Sequence, residues 1–305
     1  MRTDSTDTPE RGGHGAVGHV PVLLKEAIDF LAVQRGGTYL DATVGLGGHS
    51  CEIAKRLGAP GHLIGFDKDP AALERSRARL SSAGDSPAIT LIHGSFAEVG
   101  ERITPASLDG LLADLGVSSL QLEDAARGFS FQADGPLDMR MNPMSGETAE
   151  QVVNHIDERE LADVIYEFGE ERRSRRIARA IVRSRPILTT RQLVDVISAA
   201  ARPMKHERIH PATRTFQALR IFVNHELDDL KALLEAAPGV LKPGGRLVVI
   251  SFHSLEDRIV KDALREGAKQ GLYRLLTKKP VRATEEEMDR NPRSRSAKMR
   301  AAEKV

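Results

Sequence analysis

Gly37-Thr-Tyr-Leu-Asp-Ala-Thr-Val-Gly-Leu-Gly-Gly-His-Ser50 is the segment in which the fold of this chain is first recognisable. Its residues 39–44 predict a short buried strand, and three glycines follow that strand directly. Residues 50–57 then have the apolar spacing of a helix. Strand, glycine-rich turn and helix form the first crossover of an open parallel sheet, and such sheets bind ligands at the carboxyl ends of their strands. The segment therefore predicts an α/β fold with a ligand site at the glycine turn.

The glycine turn does not match the common phosphate-binding patterns. A dinucleotide fingerprint needs Gly-x-Gly-x-x-Gly or Ala, whereas the sequence Gly45-Leu-Gly-Gly-His-Ser50 ends in serine. A P-loop needs a lysine, and the turn has none. Glycine still allows positive φ and a close approach of the backbone to a ligand. The helix start beyond the turn offers free N–H groups to a carboxylate or a phosphate.

The strands predicted after the turn end in residues that suit a nucleoside. Asp67 ends the second strand, 26 residues after Asp41, where a carboxylate can accept hydrogen bonds from both ribose hydroxyls. Phe96 follows the third strand and could cover an adenine, and Asp114 ends the fourth. These strands are predicted at residues 61–67, 89–96 and 109–114. A nucleoside without phosphates fits this set best, which favours S-adenosylmethionine (SAM) as the cofactor.

Composition predicts a cytoplasmic protein without a membrane segment. The chain has 305 residues, of which 40% are hydrophobic and 29% charged, and this length can bury one or two cores. No apolar run reaches the roughly 18–20 residues of a membrane span, and we expect no signal peptide. The single cysteine, Cys51, excludes an internal disulfide and fits a reducing compartment.

The order of the predicted elements indicates a doubly wound sheet with an insertion. Polar residues 1–18 predict a disordered tail. After Asp114 the alternation stops, two long loops follow, and residues 147–202 have a purely helical pattern. The predicted elements that follow are a long helix at 213–237, a fifth strand at 244–251, a helix at 255–269 and an antiparallel pair at 273–282 and 295–304. We predict a Rossmann-like SAM-dependent methyltransferase domain from residues 19–135 and 211–305, with an inserted all-helical substrate-recognition domain at 136–210.

Several strings make the chain similar to one bacterial enzyme family. They are Asp41-Ala-Thr-Val-Gly-Leu-Gly-Gly-His49, Asp114-Leu-Gly-Val-Ser-Ser119, Arg127-Gly-Phe-Ser-Phe131, Gly135-Pro-Leu-Asp-Met-Arg140, His210-Pro-Ala-Thr-Arg-Thr-Phe-Gln-Ala218 and Ser251-Phe-His-Ser-Leu-Glu-Asp-Arg258. The chain resembles the RsmH (MraW) family from His19 to its C-terminus. The resemblance implies methylation of N4 of a cytosine in the decoding region of small-subunit (16S) ribosomal RNA, as free RNA or in the 30S particle.

The resemblance also implies a set of SAM contacts. Transferred by position, these are Gly47, Gly48, His49, Asp67, Phe96, Asp114 and Gln121. His49 and Gln121 rest on the resemblance alone. A solvated histidine at a helix start is the simpler interpretation of His49, and core packing is the alternative for Phe96.

The residues narrow the chemistry independently. Methylation at C5 of a pyrimidine needs a cysteine nucleophile, but Cys51 lies in the helix after the glycine turn, where it suits a small buried apolar residue. An exocyclic amine needs only to be oriented and to donate an N–H to an acceptor. The candidate acceptors are Asp114, a nearby backbone carbonyl and Ser118. His253, after the fifth strand, could take the proton after transfer, or it could be an ordinary loop histidine.

Basic and aromatic residues predict RNA contacts. Eight arginines and no acid occur from Arg172 to Arg191. We expect Arg172, Arg173, Arg176 and Arg179 to bind phosphates, although a solvated helix face is the alternative. Phe129 and Phe131 are candidates to stack on an extruded base, or else they pack the loop.

Two alternatives complete the hypotheses. His206 and His210 have the i, i+4 spacing of a metal pair, but the flanking prolines make a regular helix doubtful there, and we expect no metal. The second hypothesis for the function is a ribosome-assembly factor. Such a protein would bind RNA and would retain SAM only for a structural role. The acids at the strand ends favour the enzyme, because a binding protein does not need them.

Overall fold

The computed structural model describes residues 21–81, 86–201 and 209–305. The predicted tail at 1–18 and His206 lie outside these ranges.

Within the described ranges, seven strands form one sheet in the order β3-β2-β1-β4-β5-β7-β6. The first five are parallel, and β7 pairs antiparallel with both β5 and β6. The strand order reverses between β1 and β4, and ligands bind at this kind of switch point. The predicted doubly wound α/β fold is confirmed. The strands are β1 Thr38–Asp41, β2 His62–Asp67, β3 Ala88–His93, β4 Leu108–Asp114, β5 Leu241–Ser251, β6 Tyr273–Leu275 and β7 Lys298–Lys304.

Helices flank the sheet and also form a separate bundle between β4 and β5. Those before the bundle are α1 Leu24–Leu31, α2 Gly48–Leu57, α3 Pro70–Leu80, α4 Val99–Arg102 and α5 Ser119–Glu123. The bundle and the segment after it contain α6 Ala149–His155, α7 Glu158–Gly169, α8 Ser174–Arg183, α9 Thr190–Ala200, α10 Pro211–Asn224, α11 Glu226–Val240, α12 Ser254–Lys269 and α13 Glu285–Arg290. Short 3-10 turns lie at Phe96–Glu98, Ala125–Arg127 and Pro292–Ser296.

The predicted helix starts follow from capping side chains. Asp69 accepts the N–H of Ala71 at the start of α3, and Asp157 accepts that of Glu160 at the start of α7. The helical pattern of the insertion also holds, because α6 to α9 bury their apolar faces in one hydrophobic cluster. Phe216 and Leu219 of α10 belong to the same cluster, so α10 packs with the inserted helices.

The prediction of one long helix at 213–237 is wrong. The backbone of His225 has φ 53 and ends α10, and α11 begins at the next residue. The single left-handed residue turns the chain while the apolar spacing continues on both sides, so periodicity did not reveal the break. The turn places the end of α10 and the start of α11 over the carboxyl edge of the sheet.

The loop predicted after β4 contains a helix. Ser118 and Gln121 form a reciprocal capping box at the start of α5. The spacing Ser-x-x-Gln is the sequence signal for this helix start. The first predicted antiparallel strand, 273–282, is also shorter than expected, although its pairing with β7 is confirmed.

Candidate active site

A cavity of about 330 Å³ lies at the carboxyl edge of the sheet. Its floor is formed by the glycine turn and the ends of the parallel strands, and Met141 and the junction of α10 and α11 lie on its other side. Five acidic side chains and three basic ones line it: Asp67, Asp114, Glu226, Asp229 and Glu256, with Lys68, Arg220 and Arg293. An excess of carboxyl groups over cations suits a positively charged ligand.

The glycines of the turn have different surroundings. Gly45 lines the cavity with φ 51, and its N–H donates to Asp67 Oδ2 at 2.7 Å. Gly48 also lines the cavity, and a Cβ there would lie 2.3 Å from Pro21 Cγ. A Cβ at Gly47 would instead approach Ser76 Cβ at 3.3 Å. Gly47 is not among the lining residues, so it caps α2 at φ 75 and allows α3 to approach.

Asp67 is held rigidly at the end of β2. Its two oxygens accept the N–H groups of Gly45 at 2.7 Å and of Asp69 at 2.8 Å. Burial raises the pKa of Asp67 to about 6, although both hydrogen bonds oppose this rise. A carboxylate fixed in this way on the cavity wall can still accept hydrogen bonds from a diol.

Asp114 and His49 lie next to each other at the cavity, where the side chain of His49 is 6% exposed and that of Asp114 is 23% exposed. His49 Nε2 lies 3.1 Å from the carbonyl oxygen of Val22, which can only accept, so Nε2 carries a hydrogen. His49 Nδ1 then faces Asp114 Oδ2 at 3.6 Å. Burial raises the pKa of Asp114 well above its usual range, and the charges of Asp41 and Glu256 raise it further.

The second oxygen of Asp114 lacks a partner. Oδ1 is buried and accepts no hydrogen bond from any residue in the part of the chain that the structure describes. The backbone N–H of Asp114 donates to Thr43 Oγ1 at 2.7 Å, which fixes the end of β4 against β1. A buried oxygen without a donor is costly, so a ligand with an N–H or O–H would be bound favourably there.

Ser118 and Gln121 line the cavity and build its wall through the cap of α5. Gln121 Oε1 accepts the N–H of Ser118 at 2.9 Å, and its Nε2 donates to buried Asp69 at 3.1 Å. Phe96 also lines the cavity, so its ring is available to a ligand. The structure therefore brings together all the predicted cofactor residues except Gly47.

His253 is not among the residues that line the cavity. It caps α12, where its Nδ1 accepts the N–H of Glu256 at 3.5 Å and its Nε2 lies 3.1 Å from Glu256 Oε1. Burial opposes ionisation of Glu256, but contact with His253 and the charge of Arg220 outweigh it and lower the pKa of Glu256. Of these two residues, Glu256 lines the cavity and His253 does not. The capping spacing His-x-x-Glu is the sequence signal that could have identified Glu256.

The two phenylalanines face the inserted helices. Phe129 is 7% exposed and belongs to the hydrophobic cluster of the bundle. The ring of Phe131 lies 4.9 Å from that of Phe216 and 5.1 Å from that of His210. Neither phenylalanine lines the cavity, so their positions favour packing over base stacking.

The predicted arginines differ in their contacts. Arg172 and Arg176 are exposed, and no ion pair to another described residue is found for either. Arg179 is 59% exposed and lies 3.2 Å from Glu158. Arg173 is held by Glu171, which is 2% exposed, and so contributes to the joint between α7 and α8. Two of the four arginines are therefore free cations at the surface.

Among the described residues, no group of three or more His, Cys, Asp and Glu side chains could hold a metal ion. None of the helices in the described ranges is long and apolar enough to cross a membrane.

Comparisons with known proteins find similarity over nearly the whole chain. The profile of the MraW methylase family matches residues 16–305. A protein of Koribacter versatilis named ribosomal RNA small subunit methyltransferase H is 70% identical over 309 residues, covering 98% of this chain and 99% of that protein. A protein of the same name from Acidobacterium capsulatum is 66% identical, with 94% of this chain and 98% of that protein covered. This chain belongs to the MraW methylase family.

Proposed function

We propose that this protein transfers the methyl group of SAM to the exocyclic N4 amine of a cytosine in small-subunit (16S) ribosomal RNA. The observation that carries the proposal is Asp114 Oδ1, which has no hydrogen-bond partner among the described residues and lies in the wall of an acidic cavity of about 330 Å³. The relatives named ribosomal RNA small subunit methyltransferase H support the choice of RNA. We therefore expect the protein to act in the cytoplasm, where the ribosomal RNA is.

The cavity fits SAM in both charge and polarity. The carboxyl groups of the lining suit the sulfonium cation, and Asp67 is placed for the ribose hydroxyls. Phe96 offers an aromatic surface to adenine, and the backbone of Gly45 and Gly48 leaves room beside the start of α2. Bound SAM would supply a methyl group on a positively charged sulfur, which is electrophilic without any metal.

Asp114 is the group that we assign to the amine. Its Oδ1 can accept an N–H from N4, which orients the amine, and can receive the proton that the amine releases. His49 Nδ1, at 3.6 Å from Asp114 Oδ2, can share that proton. A cationic ligand beside Asp114 would lower its pKa, so cofactor binding prepares the acceptor.

The test is a comparison of ribosomal RNA from cells with and without this gene. We expect loss of one N4-methylcytosine, restored by the wild-type chain, and the purified protein should methylate free 16S RNA or 30S particles from the deletion strain. An unchanged modification pattern would contradict the proposal.

Asp67 gives a prediction for cofactor binding. Asp67→Ala should weaken SAM binding by about 1.5–3 kcal/mol, because it removes a charged acceptor of hydrogen bonds. Wild-type affinity should also fall as the pH drops below about 6, the pKa of Asp67, because protonation removes that charge. Titration calorimetry from pH 5 to 8 measures both effects, with Asp67→Asn as the control that should lose the pH dependence. Unchanged affinity in Asp67→Ala would remove Asp67 from the site.

Cys51 tests the position of methylation. Cys51→Ser should keep full methyl transfer, because Cys51 is not a lining residue and burial raises the pKa of its thiol. Single-turnover methylation of RNA provides the measurement, with a thermal melt to check folding. Covalent trapping of the wild type on RNA that contains 5-fluorocytosine would instead indicate attack at C6 and methylation at C5.

A further inference from the structure

Arg220 lines the cavity and has no role in the function proposed above. It lies four residues before Asn224, the last residue of α10, and its side chain is 17% exposed. Nε and Nη2 donate to the two carboxylate oxygens of Glu226 at 2.8 and 2.9 Å. This paired contact fixes the plane of the guanidinium group.

The remaining nitrogen of Arg220 has no such contact. Arg220 lines the cavity, and its Nη1 forms no hydrogen bond with any residue in the three described segments. The ion pair with Glu226 uses Nε and Nη2 and both carboxylate oxygens, so a purely structural role does not require Nη1. Two N–H donors of a largely buried cation therefore remain for a ligand, and a ligand oxygen or ring nitrogen would satisfy them.

The position of Arg220 suits the base that Asp114 would orient. Arg220, Asp114 and Glu256 line the same cavity, and Glu256 lies in the first turn of α12, after β5. A base whose amine donates to Asp114 Oδ1 would therefore lie in the cavity that Arg220 also lines.

We propose that Arg220 recognises the target cytosine by donating an N–H of Nη1 to its N3 acceptor. This inference rests on the proposed function. Cytosine presents an amine donor at N4 beside acceptors at N3 and O2, so a carboxylate and a guanidinium in one cavity match its edge. Uracil has a donor at N3 and an acceptor at O4. Its N3 donor would face the donors of Arg220, and its O4 acceptor would face the carboxylate of Asp114, so uracil would bind less well. Glu226 is a positioning residue, because it holds Arg220 without contacting the base.

The experiment combines a protein variant with a base analogue. The substrate is RNA with cytosine or 3-deazacytosine at the target position, in which N3 is replaced by C–H. The variant is Arg220→Met with Glu226→Gln, so that no buried carboxylate is left without its partner. The wild type should lose about 10- to 100-fold in kcat/KM on the analogue, the range of one charge-assisted hydrogen bond. The double variant should lose at least 10-fold less than the wild type on the analogue, because the intrinsic reactivity of the analogue affects both enzymes equally and only the wild type also loses the hydrogen bond.

The controls separate the possible outcomes. Arg220→Lys keeps the positive charge but lacks the planar guanidinium group. Its ratio of kcat/KM on cytosine RNA to kcat/KM on 3-deazacytosine RNA should lie between those of the wild type and the double variant, which gives a second test if the double variant folds poorly. Arg274→Gln, at a 66% exposed site on β6, should discriminate like the wild type. The inference is overturned if the double variant discriminates like the wild type, or if its SAM affinity falls as much as its kcat/KM, which would make Arg220 a cofactor residue. If the wild type fails on ordinary cytosine RNA, the proposed function itself fails.

Discussion

Asp114→Asn is expected to lower kcat for RNA methylation by about 100- to 10,000-fold, the range found for a group that accepts a proton in the transition state. Asparagine keeps the shape of the side chain but loses the charge and half of its acceptor capacity. If the amide turns its NH₂ toward the cavity, it presents a donor to the amine where an acceptor is needed. We therefore expect a loss of turnover rather than a loss of fold.

The pH dependence of RNA methylation by the wild type should also reveal the role of Asp114. The pKa of Asp114 is raised by burial and by nearby carboxylates, so the ionised acceptor becomes more abundant as the pH rises. Single-turnover rates should therefore increase with pH until the Asp114 and His49 pair has lost its proton, and then level off. Asp114→Asn should lack this increase.

The matched control is Asp228→Asn, at a 75% exposed site on α11 where Asp228 pairs with Lys231. It should keep wild-type turnover and pH profile. SAM binding by Asp114→Asn, measured by calorimetry, should persist at a lower affinity, and RNA affinity should change little. If Asp114→Asn turns over at the wild-type rate with saturating SAM, then Ser118 or a backbone carbonyl is the acceptor.

The sequence predicts the sheet well because each central strand is a short apolar run with a clear end. Asp67 and Asp114 stand at those ends, so the carboxyl edge and its acids follow from local pattern alone. Gly47 shows the limit of this reasoning. Several glycines occupy one turn, and only the packing against Ser76 shows that Gly47 serves the helices and Gly45 the cavity.

Residues of the site that come from distant segments were not predicted. Arg220 and Glu226 belong to a stretch that reads as ordinary amphipathic helix, and the break at His225 brings them over the cavity. Local pattern also cannot show that the aromatic ring of Phe131 turns toward Phe216. These placements depend on tertiary packing, which periodicity does not encode.

Tertiary packing also fixes the backbone beside the cavity through hydrogen bonds from Arg127. Arg127 Nη2 donates to the carbonyl oxygens of Arg140 and Met141, each at 2.9 Å, while its Nη1 donates to buried Asp69 at 2.7 Å. Asn224 accepts the N–H of Met141 at 2.6 Å. The arginine thus ties the segment that leads into the bundle to the loop after β2, so the cavity wall and the inserted helices are held by one buried group.

The second large effect is expected from three arginines in and just before α8. Replacing Arg172, Arg176 and Arg179 by glutamine should lower the magnitude of the log–log salt slope of RNA binding by about 2 to 3, at about 0.7–0.9 for each lost phosphate contact. RNA affinity at low salt should fall on the order of 100-fold. Arg172 and Arg176 are exposed without an ion pair to any residue in the described segments and should account for most of this loss, because Arg179 already pairs with Glu158. Filter binding of 16S RNA across a salt series gives both quantities.

The location of α8 explains why RNA held there would reach the active site. Glu170, just before α8, accepts hydrogen bonds from Ser254 and, at 3.0 Å, from Arg258 of α12, which starts at the carboxyl end of β5. The start of α8 is thereby fixed close to the edge of the sheet that carries the cavity. SAM affinity of the triple variant should stay unchanged, because none of the three arginines lines that cavity.

A control of equal charge separates a specific surface from net charge. Lys25, Lys55 and Lys231 are exposed, and replacing all three by glutamine removes the same charge outside both α8 and the basic segment 269–305. If phosphates bind α8, this control should keep most of its RNA affinity and its slope. Equal losses in the two triple variants would mean that only the overall field matters. If instead the α8 variant keeps both affinity and slope, the inserted helices serve as a scaffold. RNA would then have to bind the basic segment 269–305, where eleven Lys and Arg stand against five Asp and Glu.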